Sequence, residues 1–331
     1  MEARKLGANG PSLSAVGLGI MGMSDFYGPA DEAESIATIH AALEAGITLL
    51  DTGDFYGSGH NELLLRKALE GRKRERAFIQ VKFGALRDPA GGFIGFDARP
   101  AVVKNSLAYT LRRLGTDYVD LYQPARLDPN VPIEDTVGTI AELVRAGYVR
   151  YVGLSEVGAA TLRRANAVHP IAGLQIEYSL MSRGLEAEIL PTARELGIGI
   201  TAYGVLSRGL LGSTSTQGLG ASDFRAHAPR WQGDNLKKNL QLVEALKSLA
   251  QRKGATAAQL AIAWVLSRGK DIIPLIGART RARLRESLGA LDLKLGAADL
   301  QEIERAVPAE RVAGERYPEM GMRSLDSERR A

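Results

Sequence analysis

Apolar and polar positions alternate along the chain in two registers. Short, nearly unbroken apolar runs recur: "AVGLG" from residue 15, "ITLLD" from 47, "AFIQVK" from 77, "YVDLYQ" from 118, "VRYVGLS" from 149, "AGLQIEY" from 172, "GIGITAY" from 197 and "DIIPLIG" from 271. Continuous apolar character over so few residues predicts strands covered on both faces. The intervening segments carry helix start and stop signals. "DEAESIATIHAALEAG" opens on acids and ends at Gly46, "NELLLRKALEG" repeats the design, and "PAVVKNSLAYTLRRLG" opens with Pro100 and closes on Gly115. "IEDTVGTIAELVRAG", "LEAEILPTARELG" and "AAQLAIAWVLSRG" follow, the second with Pro191 as a candidate kink.

Eight strand–helix units predict an α/β fold of the (β/α)8 TIM-barrel type, with a doubly wound sheet as the runner-up. "RKLGANGPSLS" near the N-terminus predicts a hairpin turning at Asn9–Gly10. Spacing is regular to residue 203. A long connection then precedes the eighth strand, holding the Gly/Ser-rich "GSTSTQGLGASD" and an extra helix around 235–253. Residues 1–331 are read as a single domain, and the tail from about 308, of mixed charge and little periodicity, as a surface or lid segment.

Composition narrows the functional classes. At 45% hydrophobic and 24% charged, the chain has the make-up of a soluble globular protein, and no apolar run is long enough to span a membrane. The N-terminus has no apolar central segment and is not read as a secretory signal. Cysteine is absent, which excludes disulfides, thiolate metal sites and a cysteine nucleophile. A cytoplasmic location and no metal site are expected. The 42 basic and 38 acidic residues are spread along the chain, so no nucleic-acid partner is expected. "RTRARLR" (279–285) is read as a site for a small anion, the alternative being a solvated helix face.

Gly17, Gly19 and Gly22 in "VGLGIMG" match the dinucleotide pattern G-x-G-x-x-G, but no helix signal follows until Asp31, and "MSDFYGPA" reads as irregular loop. The Rossmann reading is set aside on that ground.

In such a barrel, charged residues at strand carboxyl ends face the active-site mouth. Asp51 ends the second strand, Tyr56 lies on the loop after it, and Lys82 ends the third in "AFIQVKFG". A lysine beside a phenol is expected to lower the phenol's pKa, with the aspartate holding the ammonium charged. Tyr56 then hands a proton to a developing alkoxide in reversible carbonyl reduction, the hydride coming from a cofactor. The plainer alternative is a structural Asp–Lys pair with a tyrosine packed nearby.

With "GLGIMGMS", "LLDTGDFYGSGHNELLLRKAL", "QVKFG", "GLSEV", "LQIEYSL", "AYGVLSRGLLG" and "IGARTRARLRESLGAL", the chain resembles the aldo-keto reductases over nearly its whole length. The resemblance implies a TIM barrel with NADPH (NADP+) extended across its mouth. Asp51, Tyr56 and Lys82 match three of the family's four catalytic positions. Ser155, Gln175 and Tyr203 match residues that hold the nicotinamide, and Leu206, Ser207 and Arg208 the loop at the pyrophosphate. Gly19, Ile20, Met21 and Gly277 also fall at cofactor positions. Arg279 and Arg283 fall at the adenosine 2′-phosphate and Glu286 and Ser287 near the adenine, a pattern that favours NADPH.

The sequence departs from the family at the fourth catalytic position, where "LYQPARLDP" puts Ala125 in place of the usual histidine and leaves Arg126 after it, a spelling shared with a bacterial subset. A water in the vacated space, or a bulkier ketone, is expected there. "AYGVLSRG" replaces the usual segment after the stacking tyrosine, and Ser287 stands where asparagine is common. Phe26, Tyr27 and Trp231 are candidates for an apolar substrate pocket with Ala125 and Arg126. His60 is read as a helix cap or solvated side chain more than a substrate contact, and His40 and His169 as packing. The expected partner is a small carbonyl compound. The alternatives are a nucleotide sensor with little turnover, which Ala125 suggests, and a Schiff-base aldolase using Lys82.

Overall fold

The computed structural model describes residues 1–71, 74–212, 219–220 and 223–329. Most of "GSTSTQGLGASD" (213–218 and 221–222) lies outside the described residues. The chain opens with a hairpin of β1 (Ala3–Lys5) and β2 (Ser12–Ser14). Strands β3 (Gly17–Gly19), β4 (Leu49–Gly53) and β5 (Phe78–Phe83) follow. A small antiparallel hairpin, β6 (Ala85–Arg87) and β7 (Phe93–Phe96), comes next. The remaining strands are β8 (Val119–Pro124), β9 (Val149–Ser155), β10 (Ile171–Glu177), β11 (Gly199–Tyr203) and β12 (Ile272–Gly277). Among the described residues, β3, β4, β5, β8, β9, β10, β11 and β12 form a closed parallel barrel in that order. Each matches one of the apolar runs to within a few residues. The doubly wound alternative fails because β12 pairs back to β3, with Leu275 opposite Gly17.

The helices are α1 (Glu32–Glu44), α2 (His60–Leu69), α3 (Pro100–Leu114), α4 (Ile133–Arg145), α5 (Ala159–Val168), α6 (Ile189–Glu195), α7 (Gly233–Arg252), α8 (Ala257–Ser267), α9 (Arg281–Leu288), α10 (Ala297–Ala306) and α11 (Glu319–Arg323). The kink expected at Pro191 is absent. Pro191 sits in the first turn of α6, where a missing N–H leaves no helical bond unmade. The long connection carries α7, at the place of the expected extra helix.

The N-terminal hairpin differs from the expected tight turn. Residues 6–11 form its loop, closed by Leu6 N–H donating to Pro11 O at 2.9 Å. The longer loop brings Leu6 to the barrel floor, where it packs with Leu49, Phe78, Leu121, Ile273 and Leu275. Glycine at 199 is required by that approach, since a Cβ there would lie 2.5 Å from Gly7 N. Arg4 ties the hairpin down by donating to the carbonyls of Ile272 (2.6 Å), Gly269 (2.7 Å) and Leu266 (2.9 Å).

Toward the carboxyl ends of the strands the barrel's buried side chains become polar. Asp51 lies opposite Gln80, Lys82 opposite Gln123, and Gln175 between Ser155 and Thr201. Gln80 reaches Thr201 Oγ1 at 3.3 Å. An apolar floor under a polar layer places the chemistry at the mouth, as barrel architecture requires.

Candidate active site

Asp51 and Lys82 come from adjacent strands and meet as a buried ion pair. The ammonium donates to both carboxylate oxygens at 2.8 Å. Oδ1 of Asp51 also accepts from Gln175 Nε2 at 2.7 Å and Gln80 Nε2 at 3.0 Å. A carboxylate with this many donors keeps its charge compensated in a low-dielectric setting. Lys82 Nζ lies 5.1 Å from the centre of the Tyr56 ring, and Tyr56 is 6% exposed. The structure therefore brings the three predicted groups together.

The Tyr56 loop is fixed from outside the barrel. Gly57, Ser58 and Gly59 all have left-handed backbones (φ 55, 51 and 96°), a sequence in which only Ser58 carries strain. Asp25 accepts from Gly57 N at 3.1 Å, Arg87 Nη2 at 2.8 Å and Phe26 N at 2.9 Å, locking the loop after β3 to the Tyr56 loop. Phe26, itself at φ 67°, packs edge-on to Tyr56 at 6.1 Å. Asn61 donates to Ile20 O and accepts from Thr52. His60 begins α2 with its ring on Ser24 Oγ at 2.8 Å, and His40 bonds Ala68 O.

The electrostatics correct one expectation. Burial, and then the charge of Asp51, push the Tyr56 phenol well above its ordinary value, and Arg126 is the cation that opposes them. Lys82 does not supply the expected depression, because its charge is already neutralised by Asp51. Burial lowers the Lys82 ammonium, against the pull of Asp51. Tyr56 is thus a protonated phenol in the free protein.

Beside it, Asp54 N donates to Lys82 O at 2.9 Å. Burial, and then the nearby Glu62 carboxylate, push the Asp54 carboxyl up to about 7. Its Oδ1 is buried without a partner.

The residues matched to a cofactor are distributed along one side of the mouth. Gly19 pairs with Asp51 in register, Ile20 N donates to Asp51 O, and Met21 starts a short turn. Ser155 Oγ is buried with no partner, and a Cβ on Gly277 would meet open space. Leu206 is half-buried, and Ser207 and Arg208 have left-handed backbones (φ 47 and 60°). Arg208 does not reach outward. Its guanidinium lies between the rings of Tyr317 (4.4 Å) and Phe224 (4.7 Å), 3.5 Å from Glu177. Arg279 donates to the carbonyls of Tyr27 (2.9 Å) and Pro29 (3.1 Å), and Arg283 pairs with Glu286 at 3.2 Å. Thr280 caps α9, and Ser287 is buried. Trp231 is packed into the main core under Arg225, whose guanidinium also lies over Tyr27.

The partners of Tyr203 escaped the sequence reading. Tyr203 donates to Glu156 Oε1 at 2.7 Å and lies 2.9 Å from the Tyr317 hydroxyl. Next to Tyr317, the buried Arg316 binds Glu156 at 3.0 and 2.9 Å, Glu177 at 3.3 Å and Glu328 at 2.7 Å. Burial alone would raise the Glu156 carboxyl, but Arg316 carries it well below the usual carboxylate range. Asp326 accepts from Gly158 N at 2.8 Å. The tail thus folds back over the ends of β9 and β10. The signal available in the sequence was a carboxylate at or just beyond the end of each strand, Glu156 in "GLSEV" and Glu177 closing "LQIE", the same feature that pointed to Asp51.

Fold and mouth together define a TIM-barrel protein with an ion pair and a tyrosine gathered at its catalytic face. The model of the Aldo/keto reductase family matches residues 15–308. "Probable aldo-keto reductase 1" of Glycine max is 44% identical over 318 residues, covering 95% of this chain and 91% of that protein. Among solved structures, glycerol dehydrogenase AKR11B4 from Gluconobacter oxydans matches with a TM-score of 0.83 at 26% identity, over 99% of this chain and 97% of that one. Aldo-keto reductase AKR11C1 from Bacillus halodurans matches at 0.77 and 27% identity, over 93% and 97%. The chain belongs to the aldo-keto reductase family, whose members are oxidoreductases of small carbonyl compounds that use nicotinamide cofactors. No described helix is long and apolar enough to cross a membrane, and the described residues contain no cluster of metal-ligating side chains.

Proposed function

We propose that this protein reduces an aldehyde or ketone to the alcohol with NADPH, using Tyr56 as general acid. The observation that carries this reading is the buried Lys82–Asp51 pair at 2.8 Å beneath the Tyr56 ring. A dihydronicotinamide supplies the hydride when bound. The residues present fit such a group, since the orphaned Ser155 hydroxyl offers a polar partner for a carboxamide and the bare strand ends at Gly19 and Gly277 leave room alongside. Arg279 and Arg283 flank the capped start of α9 and would hold a 2′-phosphate, Arg279 by releasing the carbonyls it now binds.

As hydride reaches the carbonyl carbon, the carbonyl π pair moves to oxygen, which takes the Tyr56 proton. The raised pKa keeps that proton on Tyr56 until an alkoxide, a far stronger base, develops beside it. The Lys82 cation, 5.1 Å from the ring centre, then faces the new phenolate, and solvent restores the proton. Phe26 and Tyr27 supply apolar walls for the substrate. The aldolase alternative is disfavoured because Lys82 Nζ donates to both Asp51 oxygens at 2.8 Å, an ion pair that a Schiff base would have to break.

The test follows nicotinamide absorbance across a panel of aldehydes and ketones for wild type and Tyr56→Phe, with NADPH binding measured in parallel. Turnover that vanishes in Tyr56→Phe with binding retained supports the reductase. Tight NADPH binding without any turnover in the wild type moves the reading to a nucleotide sensor.

A further inference from the structure

Ala125 leaves the end of β8 with a methyl group where the chemistry wants a hydrogen-bond donor to the carbonyl oxygen, and it is 2% exposed. The next residue turns inward. Arg126 donates from Nη1 to Ala125 O at 2.6 Å and from Nη2 to the Tyr317 hydroxyl at 3.1 Å, with its Cζ 5.7 Å from the Tyr317 ring centre. Around it, several cations have carboxylate partners within salt-bridge distance: Lys82 with Asp51, Arg208 and Arg230 with Glu177, Arg316 with Glu156, Arg87 with Asp25. Among the described residues Arg126 hydrogen-bonds a carbonyl and a phenol and no carboxylate. A guanidinium carries five N–H donors in a rigid fork, so these two bonds leave Arg126 with donors uncommitted.

Donor accounting shows how the fork is oriented. Arginine cannot accept, so Tyr317 Oη accepts from Arg126. Tyr203 spends its proton on Glu156, so Tyr317 donates to Tyr203. The chain Arg126→Tyr317→Tyr203→Glu156 therefore runs one way and ends on a carboxylate that Arg316 anchors in turn. Arg126 is also the cation that opposes the raised pKa of Tyr56, whereas Asp51, Tyr317 and Tyr27 push it up.

We propose that Arg126 replaces the absent imidazole as the catalytic group that orients the substrate carbonyl and stabilises its developing oxyanion, with Tyr317 of the C-terminal tail as the positioning residue. This rests on the reductase reading. Hydride still adds to the carbonyl carbon and Tyr56 still gives its proton to oxygen. Arg126 exchanges no proton and binds the oxygen as charge builds.

The experiment compares wild type, Arg126→Ala, Arg126→Lys and Tyr317→Phe on a neutral aldehyde and on a 2-oxo acid, with NADPH affinity and thermal unfolding measured on each. Removing a preorganised oxyanion donor costs on the order of a hundredfold in kcat. Arg126→Ala is expected to show that loss with NADPH affinity unchanged, and free guanidinium at sub-denaturing concentration to restore part of it. Arg126→Lys keeps the charge without the fork and should fall between. Tyr317→Phe keeps the ring and should lose about tenfold in kcat with little change in KM, as loosened orientation costs. If only KM for the 2-oxo acid rises in Arg126→Ala, Arg126 is a substrate anchor and the inference is overturned. Activity within threefold of wild type in Arg126→Ala, or a gain in Tyr317→Phe, also overturns it and leaves the reductase reading standing. A wild type without turnover overturns both.

Discussion

Asp54 offers a clean test of how burial sets charge at this mouth. Its carboxyl rises from an ordinary 3.8 to about 7. Folding therefore binds its proton more tightly than the unfolded chain does. The native state has that advantage in full below the unfolded value and loses it as pH climbs through about 7. Each tenfold change in proton affinity is about 1.4 kcal/mol, so the charged Asp54 costs the fold about 4 kcal/mol at its upper limit above neutrality. Partial exposure of the residue trims this toward about 2 kcal/mol. Asp54→Asn keeps the shape and removes the charge. Urea unfolding at equilibrium should find the variant more stable by about 2–4 kcal/mol near pH 8 and indistinguishable from wild type near pH 4. A variant equally shifted at both pH values, or less stable near pH 8, would refute the reasoning, because Asp54 would then be serving as a paired carboxylate.

Two further outcomes follow from packing. Arg316→Met strips Glu156 and Glu177 of a shared buried partner and should cost about 3 kcal/mol near neutral pH. Glu156 is held down in the fold, so its contribution is present above the ordinary 4.5 and lost on acidification below it. The penalty seen by thermal unfolding should therefore shrink in acid. Gly277→Val adds a side chain to open space at an ordinary backbone angle. It should leave thermal unfolding unchanged and weaken NADPH binding by at least about tenfold if that strand end cradles the cofactor.

The barrel was legible because each buried strand is an apolar run too short for a helix, and Asp51 and Lys82 stood out as charges ending such runs. Register and closure follow from eight units in order. The tail was not legible: Arg316 and its partners lie 139 and 160 residues apart in sequence, and residues 309–329 have no periodicity to announce what they cover. The direction of the Tyr56 shift was misread because a sequence shows that a lysine is near but not that an aspartate has already claimed it. Arg208 and Arg279 look like free phosphate ligands as letters, whereas aromatic rings and loop carbonyls engage them in the fold. Pro191 misled in the same way, since its effect depends on which turn of the helix it occupies.

Arg4 is synthesised 262 to 268 residues ahead of its three acceptors on Leu266, Gly269 and Ile272. At about 5–20 residues per second, that interval is roughly 10–50 s. Throughout it the hairpin has no floor to seal, and β3 exposes the edge that β12 will cover. Barrel closure is therefore a late event of very high contact order, and nascent chains are most prone to aggregate just before their last strand emerges. The same contacts anchor the hairpin at the end of the barrel opposite Tyr56.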